Sequence, residues 1–296
     1  MTRLPGMIQW KRLFPGQLLW ERRSCRDEGG SMCMGATSPR RLALAISTAC
    51  ALIVTTPSHA ALVSIAVDGA VLRPGSYALP DGARLHDAAV AGQVRADAWF
   101  LGAALLRRSA IEPQQKLKAG VLFDLHSNRV HWLADNKPAG VELANRLLVA
   151  VQRMPVTGRV LAQLDPLQQL ALNRNALLET GDRILYPQRA NQVRVTGAVQ
   201  ADCVLPFDPV WQPVDYLKQC PAHELADPSF VDVIQPDGVT QRRGVALWNR
   251  EPAAVAVGAV LYVPVSERHL AGESPSFNED FVSLLATQYS LGGRFE

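Results

Sequence analysis

Residue types suited to catalysis are spread thinly over this chain. His86, His126, His131, His223 and His269 form neither an HExxH motif nor a cluster with cysteine. The closest pair, His126 and His131, is five apart, a spacing that points two rings to different faces of a helix, so no metal site is expected. There is no GxSxG and no SxxK in a context that would serve a nucleophile. The glycines never assemble GxxxxGK[ST] or GxGxxG. Carboxylates are numerous, but no spacing singles out a pair for glycoside chemistry. The sequence therefore predicts no catalytic residue and no cofactor.

One stretch has a composition suited to binding. Trp99-Phe100-Leu-Gly-Ala-Ala-Leu-Leu-Arg107-Arg108 combines aromatic rings, which stack on sugar faces, with guanidinium groups, which hold carboxylates or phosphates through paired hydrogen bonds. Trp99, Arg107 and Arg108 are thus the candidate contacts for an anionic glycan. The competing reading makes Trp99 and Phe100 core and the arginines a solvated or locally paired face, the commoner arrangement for these residue types. Trp248 admits the same two readings, and a buried core tryptophan is expected over a ligand platform.

Length and charge depend on where the mature chain starts. The 296 residues carry 30 Lys+Arg against 27 Asp+Glu, a formal +3. Leu42 to Val54 (LALAISTACALIV) is an uncharged apolar run after Arg40-Arg41 and before Ser58-His59-Ala60, the three parts of a secretory signal peptide. At 13 residues the run is short of the roughly 20 that span a bilayer as a helix. Residues 1–60 are read as leader and signal peptide, with Met34 as the candidate true start and cleavage after Ala60. Lipidation at Cys50 is the second reading, opposed by Ser47 and by the apolar run continuing past the cysteine. Residues 61–296 then carry 22 basic against 24 acidic side chains, or −2. That balance removes the compositional case for a nucleic-acid partner. Cys203 and Cys220 alone follow the leader, and an even pair in an exported chain reads as one disulfide, with two buried free thiols as the alternative.

The elements that must position these residues are written twice. Val63 to Val67 alternates, Asp68-Gly69 turns, Arg73-Pro74-Gly75-Ser76-Tyr77 leads into a second strand, and Leu85, Ala88 and Ala89 recur at helical spacing. The same grammar returns with Gly197 in the place of Gly69, 128 residues on, and Val214 to Leu217 beginning the helix. Each copy closes alike, in Gly181 to Pro187 and Gly258 to Pro264, but these lie 77 apart. The first copy therefore carries about 51 extra residues between its helix and its last strand. That insertion, over about 95–155, reads as a helical hairpin grafted onto the first β domain: one helix over Ala98 to Leu117, a loop at Asn136 to Gly140, and a second helix over Val141 to Val151. Near the end, Ser276 three residues ahead of Glu279 predicts a capping box opening a helix with Phe277, Phe281, Leu284 and Leu285 on its apolar side, ended by Gly292-Gly293. Without a basic face this helix is expected to pack on its own domain or to dock on a partner protein rather than a membrane.

In this order the motifs resemble a known family. Val67-Asp-Gly-Ala-Val-Leu-Arg-Pro-Gly-Ser-Tyr77 resembles the β-grasp module called SLBB. The tandem copies, the helical insertion, Ile234 to Gly238, Trp248-Asn249, Tyr262-Val263-Pro264 and the terminal helix together resemble the GfcC-like capsule biosynthesis family over residues 61–296. The resemblance implies an α+β fold of two β-grasp domains, residues 61–190 and 191–266, followed by an amphipathic helix over 274–291. It implies a periplasmic, non-enzymatic accessory protein of capsule or exopolysaccharide export in a Gram-negative cell, with export or assembly proteins as partners. The rival expectation is a periplasmic carbohydrate-modifying enzyme, or a glycan-binding protein, with its site between the insertion and the first domain.

Overall fold

A computed structural model describes residues 61–291, 294 and 295; the leader, the Ala60 cleavage site, Cys50 and Gly292-Gly293 lie outside the described residues. Two five-stranded sheets follow one another. The first holds β1 (Leu62–Gly69), β2 (Gly75–Pro80), β3 (Ala104–Leu106), β4 (Arg159–Val160) and β5 (Arg183–Tyr186) in the order β2-β1-β5-β3-β4. The second holds β6 (Gln192–Gly197), β7 (Cys203–Pro206), β8 (Phe230–Ile234), β9 (Thr240–Gly244) and β10 (Val260–Val263) in the equivalent order β7-β6-β10-β8-β9. In each sheet the first and last strands pair in parallel and the other neighbours are antiparallel. The class is α+β, two β-grasp domains in tandem.

The repeated glycines have one physical cause. Gly69 sits opposite Tyr186 and Gly197 opposite Val263 in the two parallel ladders. Both have positive φ, 94° and 97°, and a Cβ would come within 2.1 and 2.3 Å of the facing carbonyl oxygen. Only glycine meets both demands. Helix α1 (Leu85–Gly92) then buries Leu85, Ala88 and Ala89 against the first sheet, with Val63, Ile65 and Val67 of β1 alternating inward. Helix α4 (Pro213–Gln219) takes the equivalent place in the second domain. The Cys203–Cys220 disulfide, with Cα atoms 6.0 Å apart, ties β7 to the residue that ends α4.

The insertion differs from expectation in register and in partner. The chain from Ala98 is not one helix: Ala104 and Leu105 are buried in β3, paired with β5 and β4, and helix α2 begins only at Ile111 and runs to Ala134. Sheet pairing overrides the helix propensity of an Ala/Leu-rich run. Helix α3 covers Pro138–Arg153, starting where a loop is expected, since Pro138 fits a first helical turn. The extra residues fall at one connection. The ends of β3 and β8, Leu106 and Ile234, are still 128 apart, whereas the starts of β5 and β10, Arg183 and Val260, are 77 apart. The β3–β4 turn has become a helical hairpin.

That hairpin does not cover the domain it interrupts. Val121, Leu125 and Trp132 of α2 and Leu143, Ala144, Leu147 and Val151 of α3 join one core with Val193 and Val195 of β6, Val231 and Val233 of β8, and helix α5 (Phe277–Ala286). The first domain keeps a separate, smaller core. The second domain thus depends on the first, which supplies the helices that bury it.

Candidate functional site

The three candidate glycan contacts fall into two environments. Arg107, just after β3, donates from Nε to Asp182 Oδ1 at 3.0 Å and from Nη2 to Asp182 Oδ2 at 2.8 Å and the Leu177 carbonyl at 2.9 Å. Its Nη1 lies 3.0 Å from Glu179 Oε1. Asp182 is 1% exposed and also accepts from the Glu179 amide. Hydrogen bonding to Asp182 raises the Arg107 pKa above its ordinary value, against the opposing effect of burial. Arg108 lies over Gly181, where a Cβ would come 2.9 Å from its Nε. Both arginines brace the turn leading into β5.

Trp99 is elsewhere, buried among Ala190, Val257 and Phe207. A Cβ on Gly258 would come 2.5 Å from its ring. It therefore packs where the first domain meets the second. The crevice it shares with Arg159, Gln235, Gln288 and Tyr289 has a free volume of about 10 Å³, at the lower limit for one water molecule. Trp99, Arg107 and Arg108 are not brought together around one cleft.

The residue that does join the parts is Arg159, which carries no sequence signal. From β4 it donates to the carbonyls of Gln288 at 2.6 Å, Ala103 at 3.4 Å and Pro236. These lie after α5, before β3 and in the β8–β9 turn, so one guanidinium ties both sheets to the C-terminal segment. Burial lowers its pKa to about 10, still above neutrality, so the group stays charged. Around it, Gln114 donates to the Arg159 carbonyl at 2.7 Å and accepts from the Gly158 amide at 2.8 Å. Thr157 donates to the Thr287 carbonyl at 2.7 Å.

Helix α5 is shorter than expected and is already docked. Phe277, Phe281, Leu284 and Leu285 are between 0% and 6% exposed, so of the two expected placements they take the one on the chain's own core and do not form an open partner-docking face. The Phe281 ring stacks on Tyr262 at 5.0 Å between centroids. Asn278 Oδ1 accepts from the Tyr262 hydroxyl at 3.0 Å and the Val265 amide at 2.9 Å, while Nδ2 donates to the Val265 carbonyl at 2.8 Å. The expected capping box is not formed, because the Ser276 hydroxyl donates to Asp280 at 2.9 Å instead.

Trp248 is a second correction. It is 76% exposed and its neighbour Leu247 is 90% exposed. The anchoring role in the Trp-Asn pair belongs to half-buried Asn249, which accepts from the Ala246 amide at 3.0 Å and donates to the Ser229 carbonyl at 3.0 Å. Beside this loop is a groove of about 430 Å³ lined by Gln212, Pro213, Val214, Arg250, Glu251 and Pro252. A second cavity, of about 200 Å³, lies under α3 between Arg153, Met154, Arg194, Thr196 and Asp202. Its Asp202 is held by Arg146 at 2.5 Å and by the Thr196 hydroxyl at 2.9 Å.

Among the described residues no group of three or more His, Cys, Asp or Glu side chains is placed to hold a metal ion. No helix among them is long and apolar enough to cross a membrane.

Comparison with known proteins follows this architecture. Residues 61–189 match the family model for the N-terminal part of the capsule biosynthesis protein GfcC, and residues 202–290 match the model for its C-terminal part. The chain is also 26% identical over 196 residues to the uncharacterized protein YjbG of Escherichia coli (strain K12), covering 66% of this chain and 78% of that protein. The first match takes in the whole first sheet and the second takes in four of the five strands of the second, β7 to β10, with helix α5, so the chain belongs to the GfcC capsule biosynthesis family.

Proposed function

We propose that this chain is a periplasmic accessory protein of capsule or exopolysaccharide assembly and export, acting by binding rather than by catalysis. The observation that carries the reading is the match of both domains to a capsule biosynthesis family. Two features of the molecule support it. The best-organised polar groups, Arg107, Arg159 and Asn278, hold backbone or a buried carboxylate of the chain itself, a use that favours a rigid scaffold over a reaction centre. The signal-peptide pattern ahead of Ala61 and the disulfide both suit an oxidising envelope compartment. Its partners are then export or assembly proteins of the envelope, and its ligand, where it has one, is the polysaccharide.

Deletion of the gene in its host, with cell-surface and released polysaccharide measured by amount and chain length, tests this. Loss or shortening of a surface glycan is expected. Normal amounts and lengths of every surface glycan overturn the proposal. Fractionation of the host, with the protein recovered outside the periplasm, overturns the placement.

A further inference from the structure

Leu247 and Trp248 are exposed on a loop that is not loose. Asn249 pins the turn through the Ala246 amide and the Ser229 carbonyl, and Gly244 lies so close to the Asn249 carbonyl that a Cβ there would be 2.0 Å from it. The Glu251 amide returns to the Gly244 carbonyl at 3.3 Å. Holding the loop so that adjacent Leu247 and Trp248 both stay in water forfeits the stabilisation their burial would bring. The flanks of the same loop, Gly244, Val245, Arg250, Glu251 and Pro252, form one wall of the 430 Å³ groove, a volume within the usual range of small-ligand sites.

We propose that the groove beside the Leu247-Trp248 loop binds a segment of carbohydrate chain, with Trp248 stacking on a sugar face and Arg250 and Glu251 engaging its hydroxyl or carboxylate groups. This rests on the polysaccharide reading above and supplies it with a contact surface. Sugars are amphipathic, with apolar C–H faces and rims of hydroxyls. The groove lining offers apolar Pro213, Val214 and Pro252 with polar Gln212, Arg250 and Glu251, and the loop between its wall residues Val245 and Arg250 carries the exposed Trp248, so both aspects are matched. Among the described residues Arg250 is in no ion pair and only attracts Asp215 at longer range. Glu251 is 62% exposed and 3.4 Å from Arg243. The groove lining carries one acid, Glu251, against one base, Arg250, and so lacks the basic excess of a lipid-binding surface, which favours sugar over membrane. It is also the aromatic-plus-arginine chemistry that the sequence suggested at Trp99 and Arg107, found at another place.

The test is isothermal titration of the protein purified from its host, using oligosaccharides cut from the host's own surface polysaccharide. Vesicles of phosphatidylethanolamine and phosphatidylglycerol serve as the competing probe. Wild-type binding to the oligosaccharide is expected, weakened about tenfold by Trp248→Ala and by Arg250→Gln, and largely retained by Trp248→Phe. All three variants should keep the wild-type urea midpoint, because the substituted side chains are exposed. Unchanged affinity in Trp248→Ala, or wild-type association with vesicles and not with oligosaccharide, overturns the site. Failure of the wild type to bind, combined with polysaccharide loss on gene deletion, overturns the site and leaves the accessory role standing.

Discussion

The Arg107 guanidinium grips the Asp182 carboxylate with two nearly parallel hydrogen bonds of 3.0 and 2.8 Å, and Asp182 is almost wholly buried. Removing the arginine leaves a buried anion without its countercharge, which costs about 3–5 kcal/mol. Arg107→Ala should therefore lower the unfolding free energy by about that amount in urea titration. Arg107→Lys, which restores charge without the fork, should recover part of it. A loss in Arg107→Ala below about 1 kcal/mol, the range of an exposed ion pair, would show that the contact is incidental.

The Cys203–Cys220 bond closes a short loop, with a sequence separation of 17, around β7 and α4. Chain-entropy arguments assign a loop of this length about 3 kcal/mol of stabilisation. Reduction, or the Cys203→Ser/Cys220→Ser double variant, should shift the urea midpoint down accordingly. Two thiols reactive in the unreduced, denatured protein would mean that the bond does not form in the cell.

Asp232 on β8 contributes to the acid-side pH dependence of stability. Burial is the main cause of its raised pKa, Arg242 opposes the rise, and Asp227 and Glu279 add to it; Tyr262 lies opposite on β10. The unfolded carboxyl ionises near its ordinary 3.8, whereas the folded one holds its proton to higher pH. Between those two values the folded state binds more protons, so this group's contribution to stability falls as pH rises. Asp232→Asn should flatten that part of the stability-pH curve and raise stability at neutral pH relative to wild type. An unchanged slope would assign the dependence to other carboxylates.

Some of this molecule is written in local residue patterns and some is not. The tandem copies are legible because Gly69 and Gly197 meet the same backbone demand, and the two offsets of 128 and 77 mark the insertion. Helix α2 is poorly legible because Gln114, Asp124 and Asn128 are buried on it while Phe123, Val130 and Leu133 are exposed, so its apolar face blurs. The destination of the hairpin is illegible, since an apolar face announces that it will be covered and not by which sheet. Arg159 and Arg107 share this limit: an arginine whose partners are distant carbonyls or carboxylates has no local pattern. Residue type alone places Trp248 inside, whereas the neighbour that is pinned, Asn249, is the one whose side chain bonds backbone.

That destination makes a prediction about which domain answers to which substitution. Trp132 on α2 is wholly buried in the core of the second domain, and its Nε1 donates to the His269 carbonyl at 2.6 Å. Although α2 is inserted between two strands of the first sheet, Trp132→Ala removes packing from the second. The cost is about 3–5 kcal/mol for truncating a buried aromatic. Hydrogen exchange should show lost protection in β8, β10 and α5 while β1 and β2, which share the other core, keep most of theirs. Loss confined to β1 and β2 would contradict the hairpin's placement. Equal loss in both sheets would instead mean that Arg159 and the Trp99 contact couple the two domains into a single cooperative unit.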